Sequence, residues 1–185
     1  MEYALKTPLT KDALAPLHAG DTVRLSGVVY TARDAAHGRM AELLAAGKPL
    51  PFPIEGAAIY YVGPTPERPG CVIGAAGPTT AGRMDAYTPQ LLELGLACMI
   101  GKGKRSDAVK ASVVKNGAVY LGAIGGAGAL MAGSVKSCTV VAWSDLGCEA
   151  VRRLEVEGMP LTVLLDAHGG DLYLSGPQAY LDSIK

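Results

Sequence analysis

Short blocks of apolar residues alternate with polar, glycine-rich or proline-rich segments along the whole chain. Apolar runs rich in β-branched residues predict strands, whereas blocks of helix-forming residues that follow a hydroxyl or acidic residue predict helices. The predicted strands cover residues 22–30, 57–62, 71–76, 97–100, 118–121, 139–143 and 161–166. The predicted helices cover residues 11–17, 34–46, 90–95, 106–115 and 149–154. Because strands and helices alternate through the second half of the chain, the pattern predicts an α/β fold.

Glycines and prolines separate these blocks. The sequence contains 24 glycines and 12 prolines, which predicts many tight turns and a proline-rich loop over residues 63–70. Aromatic residues make up only 5% of the chain, so we expect a core built mainly from Val, Leu, Ile and Ala. The length of 185 residues suits one domain, and the sequence has no internal repeat. We therefore predict a single compact, glycine-rich α/β domain over residues 1–185.

Composition and charge exclude several classes of function. Lys and Arg together number 17 and are balanced by 17 Asp and Glu, so the chain lacks the net positive charge that attracts nucleic acid. No apolar run reaches the roughly 18 residues of a membrane span, and no basic leader opens the chain, so we expect a cytoplasmic protein with no membrane partner. Cys71, Cys98, Cys138 and Cys148 form no C-x-x-C motif. This spacing predicts reduced thiols and no metal site in the chain.

Positively charged residues follow several of the predicted strands. Arg33, Arg83 and Lys102 each stand in a polar segment that comes after an apolar strand. Because open α/β sheets bind ligands at the carboxyl ends of their strands, we expect these three side chains at one rim. A small anion with two carboxylates is the ligand that such a set of cations favours, although basic loops can also hold phosphate.

Two threonines precede Arg83 in the segment Gly77-Pro-Thr-Thr-Ala-Gly-Arg-Met-Asp85. The hydroxyls of Thr79 and Thr80, with a planar guanidinium in the same turn, suit the recognition of a small carboxylate. The same residues suit a capping turn in which a hydroxyl binds the backbone and Arg83 makes a surface ion pair. The residue types alone leave both interpretations open.

Three further features carry weaker signals. Asp34 is expected to cap a helix or to interact with its dipole, and His37, one turn later, is expected to be structural. The glycine-rich segment 122–128 does not fit G-x-G-x-x-G because Met131 stands where the third glycine belongs. A turn that offers backbone amides to a ligand, or one that packs tightly, is therefore expected instead of a nucleotide site.

Several segments together resemble one protein family. They are Ala32-Arg-Asp-Ala-Ala-His37, Gly77-Pro-Thr-Thr-Ala-Gly-Arg-Met-Asp85, Gly101-Lys-Gly103, Gly122-Ala-Ile-Gly-Gly126, Asp145-Leu-Gly-Cys-Glu-Ala150 and Leu154-Glu-Val-Glu157. They resemble the carboxy-terminal domain of class I fumarate hydratases and the β subunits of two-subunit fumarate hydratase and L(+)-tartrate dehydratase. The resemblance extends from residue 20 to residue 173.

The resemblance implies a swivelling β/β/α domain that works in a hydro-lyase, with fumarate slightly favoured over tartrate or mesaconate as the substrate. By position, it implies that Arg33, Thr80, Arg83 and Lys102 bind the dicarboxylate and that Thr79 takes part in moving the proton on the substrate carbon. The alternative from another class is a non-catalytic anion-binding or scaffold module that keeps the same fold.

The resemblance also implies a partner. In the family, a larger domain holds a 4Fe-4S cluster through three cysteines, and this sequence contains no counterpart of that domain. We therefore expect a separate subunit that joins a cluster-bearing α subunit, as α2β2. Thr79 is a poor base unless an adjacent group activates it. Asp85 is close in sequence but suits a capping role, so a carboxylate of the α subunit is the expected activator.

Overall fold

Seven strands form one sheet that closes on itself into a small barrel. The computed structural model describes residues 1–184. The strands are β1 (Glu2–Lys6), β2 (Thr22–Thr31), β3 (Ala58–Tyr60), β4 (Cys98–Gly101), β5 (Val119–Gly122), β6 (Val135–Ala142) and β7 (Val151–Leu165). The helices are α1 (Lys11–Leu14), α2 (Asp34–Ala45), α3 (Thr88–Glu93), α4 (Asp107–Asn116), α5 (Gly128–Gly133) and α6 (Leu172–Ser183). Two 3₁₀-helices cover Ala81–Met84 and Ser144–Glu149.

The strand order explains how the barrel closes. The order is β1-β2-β3-β4-β5-β7-β6, and an additional pairing between β2 and β7 completes a ring of β2, β3, β4, β5 and β7. Strands β2 to β5 run parallel, whereas β7 is antiparallel to both β2 and β5. Because parallel strands end at the same edge of a sheet, the loops after β2, β3, β4 and β5 meet at one rim of the barrel.

The central strands bury side chains on both faces. Ala58, Ile100 and Leu121 belong to one apolar cluster, together with residues of β2 and β7. The alternate residues, such as Ile59 and Met99, belong to a second cluster with the apolar residues of α2, α3 and α4. Burial on both faces explains why these strands appear in the sequence as continuous apolar runs.

Residues 71–76, which were predicted to form a strand, belong to a loop. Thr65 ties this loop across its base, because its N–H donates to Ala75 O (3.1 Å) and its hydroxyl accepts the Ala75 N–H (2.9 Å). Ile73 and Ala76 are buried. The strand prediction was wrong because the apolar residues of this segment pack into the core, while its backbone does not pair with a neighbouring strand.

The helix predicted near residues 149–154 was also wrong, because Val151 opens the 15-residue strand β7. This stretch contains the charged residues Arg152, Arg153 and Glu155, which favour a helix locally. In the structure it pairs with β6 on one side and with β2 on the other. Non-local pairing therefore overrides local helix propensity.

Apart from the two 3₁₀-helices, one strand and two α-helices of the described chain lie where no element was predicted. β1 adds a parallel edge strand beside β2, α5 follows the glycine-rich segment, and α6 ends the described chain without burying any residue. The remaining predicted elements match in type, and the chain forms a compact single domain of mixed α and β structure. Within residues 1–184, no helix combines the length and the apolar character needed to cross a membrane.

Candidate functional site

The predicted site residues all stand in the segments that follow β2, β3 and β4, at the rim formed by the carboxyl ends of β2 to β5. Arg33 follows β2, Thr79, Thr80 and Arg83 lie between β3 and α3, and Lys102 directly follows β4. The parallel register of these strands places their ends side by side. The three cations and the two threonines therefore share one edge of the barrel.

The loop after β3 runs beside the barrel as an additional edge segment. Thr79 N–H donates to Tyr61 O (2.8 Å), and Ala81 N–H donates to Lys102 O (2.8 Å). Thr80 is thereby paired in parallel with Lys102. Main-chain hydrogen bonds thus hold both threonines at the ends of β3 and β4, with Thr79 half-buried and Thr80 exposed.

Asp34 connects the two arginines of the rim. Its Oδ2 lies 3.7 Å from Arg33 Nη2 and 4.0 Å from Arg83 Nη1. Glu149 approaches the same Arg33 nitrogen, with its Oε1 at 3.4 Å. The Arg33 side chain is only 21% exposed and the Arg83 side chain is 55% exposed. Arg33 is therefore held among protein groups, whereas Arg83 reaches into solvent.

The start of helix α2 differs from the expectation. Arg33, not Asp34, occupies the N-cap position, and it makes no side-chain capping hydrogen bond. Ala35 N–H donates instead to Glu149 Oε2 at 3.1 Å, so a residue from a distant 3₁₀-helix binds this free amide. Of the two roles expected for Asp34, capping the helix and interacting with its dipole, the structure supports the second. Asp34 lies in the first turn, where a carboxylate interacts favourably with the helix dipole.

Lys102 lies against the glycine-rich turn that follows β5. A Cβ at Gly125 would lie 3.5 Å from both Cδ and Nζ of Lys102, so the lysine side chain runs along this glycine. A Cβ at Gly128 would lie 3.0 Å from Gly77 N, which shows that the start of α5 packs against the backbone of the segment after β3. A cavity of about 320 Å³ lies beside Lys102, between the glycine turn, β7 and the start of α6.

A buried ion pair lies beneath the rim and involves Arg105, which the sequence pattern did not single out. Its Nε donates to Asp85 Oδ1 (2.6 Å) and its Nη2 donates to Thr88 Oγ1 (2.8 Å). The guanidinium also lies 5.4 Å from the ring centroid of Tyr61 and 4.9 Å from that of Tyr120. Burial acts to lower the pKa of Arg105, but Tyr61 and Asp85 reverse this effect and raise it. In the sequence, Arg105 is one of several basic residues in one loop, and nothing there marks it as buried.

Within residues 1–184, the carboxylate nearest to Thr79 along the chain is engaged by other groups. Asp85, the nearest carboxylate along the loop, has both oxygens engaged, because Oδ1 accepts from Arg105 and Oδ2 accepts the Ser106 N–H at 2.6 Å. Asp85 therefore anchors the loop to the start of α4 and is not free to act on Thr79.

His37 is a fully buried residue behind the rim. Its Nδ1 lies 2.9 Å from Arg33 O and must donate, because a carbonyl oxygen only accepts. Its Nε2 is buried and has no hydrogen-bond partner in the described part of the chain. Burial lowers the pKa of His37 to about 4, so the ring is neutral at pH 7. These surroundings are those of a packed structural histidine.

The thiols of this chain do not fit an iron-sulfur cluster. Cys98 is buried, where burial raises the pKa of its thiol, whereas Cys71 and Cys148 are exposed and Cys138 is half-buried. In residues 1–184, no group of three or more His, Cys, Asp or Glu side chains is arranged to hold a metal ion. A protein-bound cluster needs several thiolates around one centre, and the described residues do not provide them.

Comparison with known proteins identifies relatives of this chain. A sequence profile described as Fumarase C-terminus matches residues 1–176. Fumarate hydratase 2 of Leishmania major is 40% identical over 173 residues, which cover 91% of this chain and 30% of that protein. The aerobic class I fumarate hydratase of Escherichia coli (strain K12) is 42% identical over 151 residues, or 80% of this chain and 28% of that protein.

A third relative is similar over nearly its whole length. This Methanocaldococcus jannaschii protein, which is assigned by its name alone to the β subunit of L(+)-tartrate dehydratase, is 38% identical over 179 residues. The match covers 94% of this chain and 91% of that protein. The chain thus spans less than a third of the length of the two fumarate hydratases but most of the length of the subunit-sized relative.

Proposed function

Because this chain belongs to the fumarase C-terminus family, we propose that it is the β subunit of a hydro-lyase that interconverts fumarate and malate. The observation that carries the proposal is the position of Arg33, Thr80, Arg83 and Lys102 in neighbouring loops at one rim. Two fumarate hydratases and a relative named for tartrate dehydratase support hydro-lyase chemistry.

We assign substrate binding to a dicarboxylate clamp, defined as Arg33, Thr80, Arg83 and Lys102. The two guanidinium groups suit a carboxylate through paired N–H donors, and their mutual neighbour Asp34 keeps them close together. Lys102 contributes a point charge, and Thr80 contributes a hydroxyl donor that rotates to suit the ligand. The clamp therefore recognises two carboxylates on a small molecule.

We assign the movement of the substrate proton to Thr79. Dehydration of a hydroxy-dicarboxylate takes a proton from the carbon beside one carboxylate while hydroxide leaves the adjacent carbon. The cations of the clamp stabilise the negative charge that accumulates on that carboxylate. A threonine hydroxyl needs an adjacent base, and Asp85 is already engaged by Arg105 and Ser106. In this proposal the activating base comes from the partner subunit.

The partner in this proposal is a cluster-bearing α subunit that forms an α2β2 enzyme with this chain. Two observations support a partner: the relative named as a tartrate dehydratase β subunit is matched over 91% of its length, and the described thiols do not fit a 4Fe-4S cluster. The family resemblance further supports a swivelling β/β/α fold for this domain. We also propose a cytoplasmic location.

Tartrate dehydration is the second candidate function. It is favoured by the similarity to that same subunit-sized relative over 179 residues. Tartrate, malate and the substrate of a mesaconase all carry two carboxylates, so the clamp suits each of them. A non-catalytic scaffold is disfavoured, because folding alone does not require Thr79, Arg83 and Lys102 to meet at one rim.

Co-expression with candidate cluster-bearing α subunits under anaerobic conditions tests the proposal. We expect a stable complex that hydrates fumarate, or converts tartrate or mesaconate, and an isolated chain without iron or activity. Stoichiometric iron and sulfide in the isolated chain would contradict the proposal, because they would place the cluster in this chain and not in the α subunit. If the complex forms and contains the cluster but converts none of these substrates, the result would favour a non-catalytic scaffold function for this chain.

A further inference from the structure

Gly103, the residue after Lys102, is held at both of its backbone polar groups by tyrosine hydroxyls. Its N–H donates to the hydroxyl oxygen of Tyr173 at 2.8 Å. Its carbonyl accepts the hydroxyl of Tyr120 at 3.0 Å. The carbonyl of Lys102 itself accepts the Ala81 N–H at 2.8 Å. The peptide groups on the carboxyl side of Lys102 are therefore fixed by three hydrogen bonds.

This arrangement fixes the main chain from which the Lys102 side chain extends. Gly103 has a φ of +87°, in the left-handed region that favours glycine, so the chain turns sharply immediately after the lysine. The lysine side chain runs along Gly125 and lines the cavity of about 320 Å³ that Tyr173 also lines. The orientation of the Gly103 peptide is therefore coupled to the main-chain position from which the Lys102 side chain extends.

The two tyrosines differ in how much their substitution would disturb the core. Tyr120 is fully buried in β5 and its ring lies over Arg105, so its loss would disturb the core. Tyr173 lies at the start of α6, which buries none of its residues. Asp171 anchors this helix, because it accepts the Tyr173 N–H at 3.0 Å and pairs with Lys110 Nζ at 2.9 Å.

We propose that Tyr173 is a positioning residue that holds Lys102 in the dicarboxylate clamp through its hydrogen bond with Gly103. This inference rests on the proposed function, because it assumes that Lys102 binds a carboxylate. It assigns a role in the site to α6, an element that the sequence pattern did not predict. Tyr173 acts through Gly103 and touches no reacting atom.

Hydrogen exchange of the Gly103 amide tests the geometry in the full chain alone. Tyr173→Phe removes only the hydroxyl, and we expect the Gly103 N–H to exchange about tenfold faster by NMR. Tyr180→Phe, on an exposed residue of the same helix, is the matched control and should leave this exchange unchanged. Equal Gly103 protection in wild type and Tyr173→Phe would overturn the proposal.

A double-mutant cycle in the complex with the α subunit tests the functional link. With L-malate as substrate, Tyr173→Phe should lower kcat/KM about 2- to 10-fold, mainly through KM, as expected for one hydrogen bond. In the Lys102→Ala background the same change should have no further effect, because the positioned group is gone.

The outcomes separate the two claims. If Lys102→Ala lowers kcat/KM and Tyr173→Phe adds the same factor in both backgrounds, Tyr173 does not act through Lys102 and the positioning role is refuted. If Lys102→Ala leaves kcat/KM unchanged, the proposed clamp fails and the positioning role falls with it, even where Gly103 exchange responds as expected.

Discussion

Asp85 Oδ1 accepts a hydrogen bond of 2.6 Å from Nε of Arg105, whose side chain has no solvent exposure. This pair joins the loop that carries Thr79 to the loop that carries Lys102. It places a full positive charge directly beneath the rim, between the rings of Tyr61 and Tyr120. The carboxylate nearest to Thr79 along the chain therefore has a structural role, so the proposed mechanism requires another group to activate Thr79.

The buried pair makes a prediction about stability. Asp85→Asn leaves Arg105 charged and without its anion, and removal of one partner from a buried pair costs about 3 to 5 kcal/mol. We expect a loss of this size in the free energy of unfolding, measured by urea denaturation. The control is Glu93→Gln in an exposed pair with Lys115, where the expected change is below about 1 kcal/mol. Equal stability of both variants would show that Arg105 finds another anion.

The dicarboxylate clamp predicts separate losses of activity. Arg33→Ala, Arg83→Ala and Lys102→Ala should each lower kcat/KM in the complex with the α subunit, because a charge-assisted contact is worth about 1.5 to 3 kcal/mol, or roughly 10- to 150-fold. The fold should be retained, since these side chains lie outside both apolar clusters. Arg24→Ala is a matched control, because Arg24 lies in the first part of β2 and pairs with Glu2. Unchanged kcat/KM in all three variants would contradict the proposal that these residues bind the dicarboxylate.

Thr79 and Thr80 are adjacent, and their predicted roles are separable. Thr79→Val should lower kcat strongly, because proton-transfer groups contribute about 10² to 10⁴-fold. Thr80→Val should act mainly on KM, because one neutral hydrogen bond is worth about 0.5 to 1.5 kcal/mol. Exchange of solvent hydrogen into C3 of malate should fall together with kcat in the Thr79 variant. Near-normal turnover and exchange in Thr79→Val would assign the base wholly to the partner.

His37 predicts a pH dependence of stability. Burial lowers its pKa from 6.5 to about 4, so the unfolded chain takes up a proton before the folded chain does as the pH falls. The stabilisation is therefore complete above about pH 6.5 and is lost as the pH falls towards 4, by about 3 kcal/mol in total. We expect His37→Gln to show a smaller loss of unfolding free energy over this range than the wild type. If His37→Gln keeps the wild-type pH dependence, another group is responsible.

The local pattern predicted most of the barrel. Strands β2 to β5 and helices α2 to α4 were found from apolar runs, caps and glycine stops, because each signal lies within one element. The start of β7 was misassigned, since Arg152 and Glu155 favour a helix until β2 and β6 pair with both edges of the strand. Helix α6 was not predicted, because none of its residues is buried and its sequence therefore has no core-facing apolar stripe that would indicate a helix.

The family, the α/β character and the polar segments that contain Arg33, Thr79, Thr80, Arg83 and Lys102 could all be predicted from the sequence. The groups that these segments contact could not, because they are distant along the chain. Glu149 reaches the start of α2 across 114 positions, and Tyr173 reaches Gly103 across 70 positions. Periodicity and capping depend on neighbouring residues, whereas such contacts depend on the path of the chain. The pairing of β3 with β4 brings the segments of Asp85 and Arg105 together, and β7, which pairs with β5, leads into the helix that carries Tyr173.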